Sequence, residues 1–167
     1  MNERAIVDTN VLIAANGQKD CPQATTSCCL KAAQALRHIQ QQGQIVIDDQ
    51  WLILNEYKHK VNPSGQPGLG DSFLKWVLTN LKNMTCVEQV KITPKGNSFA
   101  EFPADPELAT FDPSDHKFVA VAIVAKPPPP ILNATDSDWA NHYKELTSAG
   151  ITIQFLCPNV VTPQHTH

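Results

Sequence analysis

A single α/β domain with a mostly parallel central sheet is the fold this sequence predicts, and two observations predict it. Short apolar or β-branched runs at 5–7, 44–48, 86–92, 131–134 and 151–156 alternate with segments whose apolar residues recur at helical spacing. Strands separated by helices pair in parallel through crossovers. The 167 residues are 42% hydrophobic and 17% charged, enough to bury one sizeable core, and neither a repeat nor a break in composition divides them. The expected order is β-α-α-β-α-α-β-α-β-α-β over 1–160, with 161–167 a polar tail.

Ala5, Ile6 and Val7 read as a buried strand. Val11, Leu12, Ala14 and Ala15 have helical spacing and follow with no Gly or Pro between. Asp8 is thus expected at the carboxyl end of a strand and the amino end of a helix, the edge where open α/β sheets bind ligands; it equally suits a helix cap. After a loop at 16–22, Thr25 or Thr26 caps a helix with Cys29, Leu30, Ala33, Leu36 and Ile39 on one face, ending at Gly43. The strand at 44–48 delivers Asp48 or Asp49 to the start of a helix with Leu52, Ile53, Tyr57 and Val61 as its apolar side.

A flexible loop is expected at 62–70, and Asp71 caps the next helix, through Phe73, Leu74, Val77, Leu78 and Leu81. Residues 93–112 contain Pro94, Gly96, Pro103 and Pro106 and read as mostly irregular; a long loop in a compact domain is often functional. Asp112-Pro113-Ser114-Asp115 is good start chemistry for a helix carrying Phe118, Val119, Ala122 and Ile123. The four prolines at 127–130 stop that helix and predict a rigid, exposed connector. A helix over 139–148 leads to the last strand.

The formal net charge of −3, from 13 basic and 16 acidic residues, excludes a strongly basic nucleic-acid binder but leaves room for a local basic rim. No apolar run approaches the roughly 20 residues of a membrane span, so no membrane partner is expected. Met1 to Arg4 leads directly into the first strand, leaving no room for a signal peptide and pointing to the cytoplasm. Cys21, Cys28, Cys29, Cys86 and Cys157 form no CxxC pair and read as reduced structural thiols. The six histidines lack metal-binding spacing; His165 and His167 fall in the polar tail.

Val7-Asp8-Thr9-Asn10, followed by Val11-Leu12-Ile13, resembles the opening of PIN-domain nucleases. Later acids fall where that resemblance wants them. Glu56, in Leu54-Asn55-Glu56-Tyr57, is similar to the family's helical Glu. Asp115, ahead of Phe118-Val119-Ala120-Val121-Ala122, resembles its Asp before a small and apolar helix. Asp136 and Asp138, in Asp-Ser-Asp-Trp, resemble the acids after its fourth strand. Ala134 stands where the family often has Thr or Ser, and Trp139 where it usually has Phe. Asp136 is preferred over Asp138 as the fourth site acid because it is nearer the strand end.

The resemblance implies a PIN-like three-layer α/β/α domain and a metal-dependent endoribonuclease. Asp8, Glu56, Asp115 and Asp136, with Asp138 as a further candidate, would hold the metal, and Thr9 and Asn10 would orient the first acid. Two carboxylates about 4 Å apart repel by about 4 kcal/mol at an effective dielectric near 20, so such a cluster takes up protons or a cation. Oxygen ligands without His or Cys favour Mg²⁺ or Mn²⁺, which can activate water and neutralise an attacked phosphate. RNA is then the substrate. A role as the toxin of a toxin–antitoxin pair stays open, with an antitoxin protein and a homodimer as partners.

Lys58, His59 and Lys60 follow Glu56, and His116 and Lys117 follow Asp115; these are expected to form a phosphate-facing rim. Two other classes compete. A phosphatase of the haloacid-dehalogenase type wants a second Asp two residues after the first, where Asn10 stands. A catalytically weak, PIN-shaped module that binds RNA or protein keeps the fold without the chemistry.

Overall fold

The structure, a computed structural model, describes residues 3–161. Nearly all of the expected polar tail, with His165 and His167, lies outside the described residues. Five strands, β1 (Glu3–Val7), β2 (Gly43–Asp48), β3 (Val87–Val90), β6 (Ile131–Asn133) and β7 (Ile153–Phe155), form one sheet in the order β3-β2-β1-β6-β7. Every pairing in it is parallel. Helices α1 (Thr9–Ala15), α2 (Thr26–Gln42), α3 (Leu52–Lys60), α4 (Leu69–Thr79), α5 (His116–Val124), α6 (Asp138–Asn141) and α7 (Tyr143–Ser148) flank it, as the expected three-layer α/β/α arrangement requires. Strands β4 (Pro94–Lys95) and β5 (Ser98–Phe99) make a separate antiparallel hairpin. Among the described residues no helix is long and apolar enough to cross a membrane.

Ala5 to Val7 of β1 and nearly all of β2 and β6 are buried because helices cover both faces of the sheet. From β1 the chain first runs outward through β2 and β3, then returns to build β6 and β7 on the other side. The order therefore reverses between β1 and β6, whose register pairs Val7 with Leu132. Loops leaving two such strands part in opposite directions and open a crevice at their carboxyl ends. That crevice receives Asp8 and the residues after Asn133.

Several expectations about helices shift. Helix α2 buries Leu36 and Ile39 of the predicted face together with Cys28 and Ala32, while Cys29 and Ala33 are half-buried against the core and Leu30 is exposed. Adjacent Cys28 and Cys29 fit either stripe by spacing alone, and a bond decides between them: Cys28 forms a disulfide with Cys157, beyond β7. This corrects the reading of all five cysteines as reduced; Cys21, Cys29 and Cys86 remain free thiols. Helix α4 begins at Leu69, inside the predicted loop, so Asp71 caps it from within the first turn rather than from the position before it. The Asp71 carboxylate accepts from the Gly68 and Asn62 amides and from the Asn16 side chain. A Cβ at Gly70 would run into the Leu12 carbonyl, which is why α4 can lie so close on α1.

The predicted irregular stretch 93–112 contains the β4–β5 hairpin and a 3-10 turn at Pro106–Leu108. The predicted helix over 139–148 is broken at His142. The proline connector is only partly exposed: Pro129 is buried, and the Pro130 carbonyl accepts from the Ile6 amide. Ile123 is half-buried, while Phe118 to Ala122 are enclosed on all sides.

A candidate metal centre at the sheet edge

Asp8 leaves β1 and caps α1, its Oδ1 accepting from the Asn10 amide at 3.1 Å. The cap and the site are the same residue, since its second oxygen is left to face the crevice. That oxygen, Oδ2, accepts from the Trp139 indole N–H at 2.6 Å. Asp115 arrives at the end of a 3-10 turn, Pro113–Asp115, which Asp112 starts by accepting from the Ser114 amide. Asp136 follows β6, its Oδ1 accepting from the Asp138 amide at 2.9 Å.

Among the described residues, Asp8, Asp115 and Asp136 each offer a carboxylate oxygen, and these oxygens lie within 4.8 Å of one another. They line an open cleft of about 410 Å³ together with Thr9, Asn10 and Glu56. Asp115 Oδ2 is buried and has no hydrogen-bond partner, the one such side-chain atom among the described residues. Leaving an acceptor of this kind unmade costs about 1–3 kcal/mol or more, so the site is short of a proton or a cation. Burial, then the Asp8 and Asp136 charges, push the Asp115 carboxyl far above the usual carboxylate range. Burial also raises Asp8, against the lowering effect of the Asn10 and Trp139 hydrogen bonds, and Asp136 and Glu56 raise it further. Oxygen-only ligands with one vacant acceptor could hold a hard cation.

Glu56 lines the same cleft but stands apart from the triad. Its Oε2 accepts from the Thr9 hydroxyl, and its Oε1 from Lys117 Nζ at 2.8 Å. Thr9 therefore positions Glu56, not Asp8. Asn10 orients Asp8 through its backbone amide, while its side chain ties α1 to β6. It donates to Asn133 Oδ1 at 2.7 Å and accepts from the Ala134 amide at 2.7 Å. Ala134 is fully buried here, so its contribution to the site is this backbone donor.

Three expected site residues lie elsewhere. Asp138 turns from the triad: its Oδ2 accepts from the Asp112 amide at 2.9 Å, and its Oδ1 lies 3.2 Å from His142 Nδ1. Lys117 is no exposed rim; it is buried, bonded to Glu56 and to the Ser114 carbonyl. His116 is buried too, stacked on Phe102 at 3.7 Å and bonded to Ser98 and to the Phe111 carbonyl. Lys58, His59 and Lys60 are exposed, and Lys60 lines the cleft. Asp48, another acid at a strand end, is excluded from the site because the Gln50, Leu52 and Ile53 amides occupy its oxygens.

The sequence marks Trp139 only as standing where the resemblance expects Phe and does not show its hold on Asp8. An aromatic with a polar handle, buried beside an acid, was the signal available. Lys117 was not legible in this way: only the enclosure of α5 in the structure shows that its ammonium needs a buried counter-charge. Replacing Trp139 with Phe keeps most of the ring but removes the donor that lowers Asp8. The Asp8 carboxyl should then titrate at higher pH, readable by carboxyl NMR in metal-free protein, and divalent-cation affinity at pH 7 should fall about tenfold. No family model matches the chain, and comparison with curated proteins and with solved structures gives no match.

Proposed function

We propose that this protein is a Mg²⁺- or Mn²⁺-dependent endoribonuclease that hydrolyses phosphodiester bonds. One observation carries the reading: three carboxylates from β1, α5's leading turn and the β6 loop converge in an open cleft, with Asp115 Oδ2 buried and unpartnered. The order and spacing of those acids, with their resemblance to PIN nucleases, support RNA as the substrate. Asp8, Asp115 and Asp136 would hold the cation. When bound, it would supply Lewis-acid chemistry, easing loss of a proton from water and offsetting phosphate charge.

The chain's own groups complete the arrangement. Trp139 and the Asn10 amide hold the Asp8 carboxylate toward the cleft. The Asn10–Asn133 pair fixes the distance between the β1 and β6 loops, and so between Asp8 and Asp136. Lys117 offsets the Glu56 charge, which lowers the number of uncompensated carboxylates to three and favours a single cation over two.

The test is cleavage of a mixed single-stranded RNA pool with EDTA, and with Mg²⁺ or Mn²⁺ restored. Chelation should abolish cleavage and either ion should return it. Asp136→Asn should lower the rate by about a hundredfold or more, whereas Asp138→Asn, which touches only the Asp112 and His142 side of α6, should stay within about fivefold of wild type. Metal-independent cleavage, or equal loss in both variants, overturns the assignment.

A further inference from the structure

Leu52, Glu56 and Lys60 stand one turn apart along α3 and span about 12 Å at 1.5 Å per residue. They line three pockets that share wall residues. Leu52 belongs to a pocket of about 320 Å³ that the β4–β5 hairpin closes. Glu56 belongs to the acidic cleft, and Lys60 both to that cleft and to a pocket that includes Lys19 and Lys58 beside Asp20 and Asp71. Ser114 is a wall common to the hairpin pocket and the cleft. Lys117 lines the hairpin pocket while its ammonium bonds Glu56 on the cleft side.

We propose that the hairpin pocket receives one unpaired nucleobase of an RNA strand whose next phosphodiester lies at Asp8, Asp115 and Asp136, with Lys58 and Lys60 meeting phosphates beyond. This rests on the nuclease reading above and adds to it a site for one base at the hairpin. The pocket's volume falls at the lower end of small-ligand sites, about 300–1,000 Å³. Its walls combine apolar surface from Leu52, Pro94 and Phe99 with the polar side chains of Asn97 and Ser98. That mixture suits an aromatic heterocycle with edge donors and acceptors, and bases are open to such recognition only when unstacked from a duplex.

The hairpin is fixed in place before any strand arrives. Its base is clamped where the Glu101 carboxylate accepts from both the amide and the hydroxyl of Thr93, each at 2.9 Å. Its tip strand is tied to α5 by Ser98 Oγ, 2.7 Å from His116 Nδ1, and His116 is locked in turn by Phe102 and the Phe111 carbonyl. A pocket built this way spends little binding free energy on ordering. At the other end the cations are exposed, and Lys58 lies 4.6 Å from the centre of the exposed Trp51 ring, a surface of charge and aromatic face that suits a single strand.

The experiment titrates full-length Asp8→Asn protein with a short fluorescein-labelled RNA, with the same strand carrying one abasic ribose at successive positions, and with its duplex. One abasic position should weaken binding about tenfold and the duplex should bind more weakly still. Asn97→Ala, at an exposed site that leaves the melting temperature unchanged, and Phe99→Ala should both erase the penalty of that abasic position. Wild-type cleavage measured on the same strands separates the two readings. Metal-dependent cleavage with no abasic position mattering overturns the base pocket alone. Absence of both cleavage and RNA binding overturns the nuclease reading and the pocket with it. Binding of a peptide library at the hairpin, displaced by none of the RNAs, would assign the pocket to a protein and also overturn the proposal.

Discussion

Asp8→Asn should lower metal-dependent RNA cleavage by about a thousandfold or more, a loss of about 4 kcal/mol in transition-state stabilisation. The substitution keeps the side chain's shape. Its amide oxygen can still accept from Trp139 Nε1, although its NH₂ group then faces the Asn10 amide that Asp8 Oδ1 accepts in the wild type. The lost element is the charge at the centre of the triad. Single-turnover cleavage with saturating Mn²⁺ measures the effect, and a rate within tenfold of wild type would remove Asp8 from the chemistry.

Stability should move in the other direction. Burial and the neighbouring acids hold the Asp8 and Asp115 carboxyls above their unfolded values near pH 4. Such a group contributes stability below its unfolded pKa and loses it as pH rises toward the folded one. In EDTA the wild type should therefore lose ground to Asp8→Asn between about pH 5 and pH 8, where the neutral amide escapes the penalty. Thermal melts of both proteins across that range check the sign. Added Mg²⁺ or Mn²⁺ should raise the wild-type melting temperature at pH 8 and leave Asp8→Asn nearly unmoved, because only the native site gathers the three carboxylates.

Removing the Cys28–Cys157 bond should destabilise the fold by about 2–5 kcal/mol. The two cysteines are 129 residues apart and both are buried. In the chain-entropy account a closed loop of this length takes about 5 kcal/mol of freedom from the unfolded chain, the upper end of that range. The bond joins α2, packed on α1, to the segment after the edge strand β7. For a domain of this size the melting temperature should fall by roughly 10 °C. Calorimetry of the Cys28→Ser/Cys157→Ser double variant, and of wild type with and without reductant, measures it. Melting that is indifferent to reductant would show that the pairing does not form in solution.

The order of strands and helices was readable from the chain because each run declares its own period: β-branched runs at β1, β2 and β6, helical spacing in between. Asp8 was readable for the same reason, since a strand and a helix meet at it with nothing between. The helix start at Asp115 was readable from the Asp112–Pro113 signal, whereas its place in the cleft was an expectation from the resemblance alone. These are local properties, carried by neighbours in sequence.

Direction of a side chain across the fold is different, because it is set by whatever packs opposite. Asp136 and Asp138 look alike in sequence, yet one turns to Asp8 and Asp115 and the other to the Asp112 amide, 26 residues earlier. Lys117 reads as surface beside His116, yet α5 is enclosed on all sides and sends its ammonium to Glu56 on α3. The hairpin at Pro94–Phe99 is short and proline-bearing, with too few residues to show a strand period, and the clamp between Thr93 and Glu101 closes it. Cys28 and Cys29 are equivalent by spacing until Cys157 arrives from the far end of the chain. In each case the deciding partner is distant in sequence, and only the reversal of strand order between β1 and β6 brings the acids of the cleft to one edge, where burial and mutual repulsion raise the Asp8 and Asp115 carboxyls.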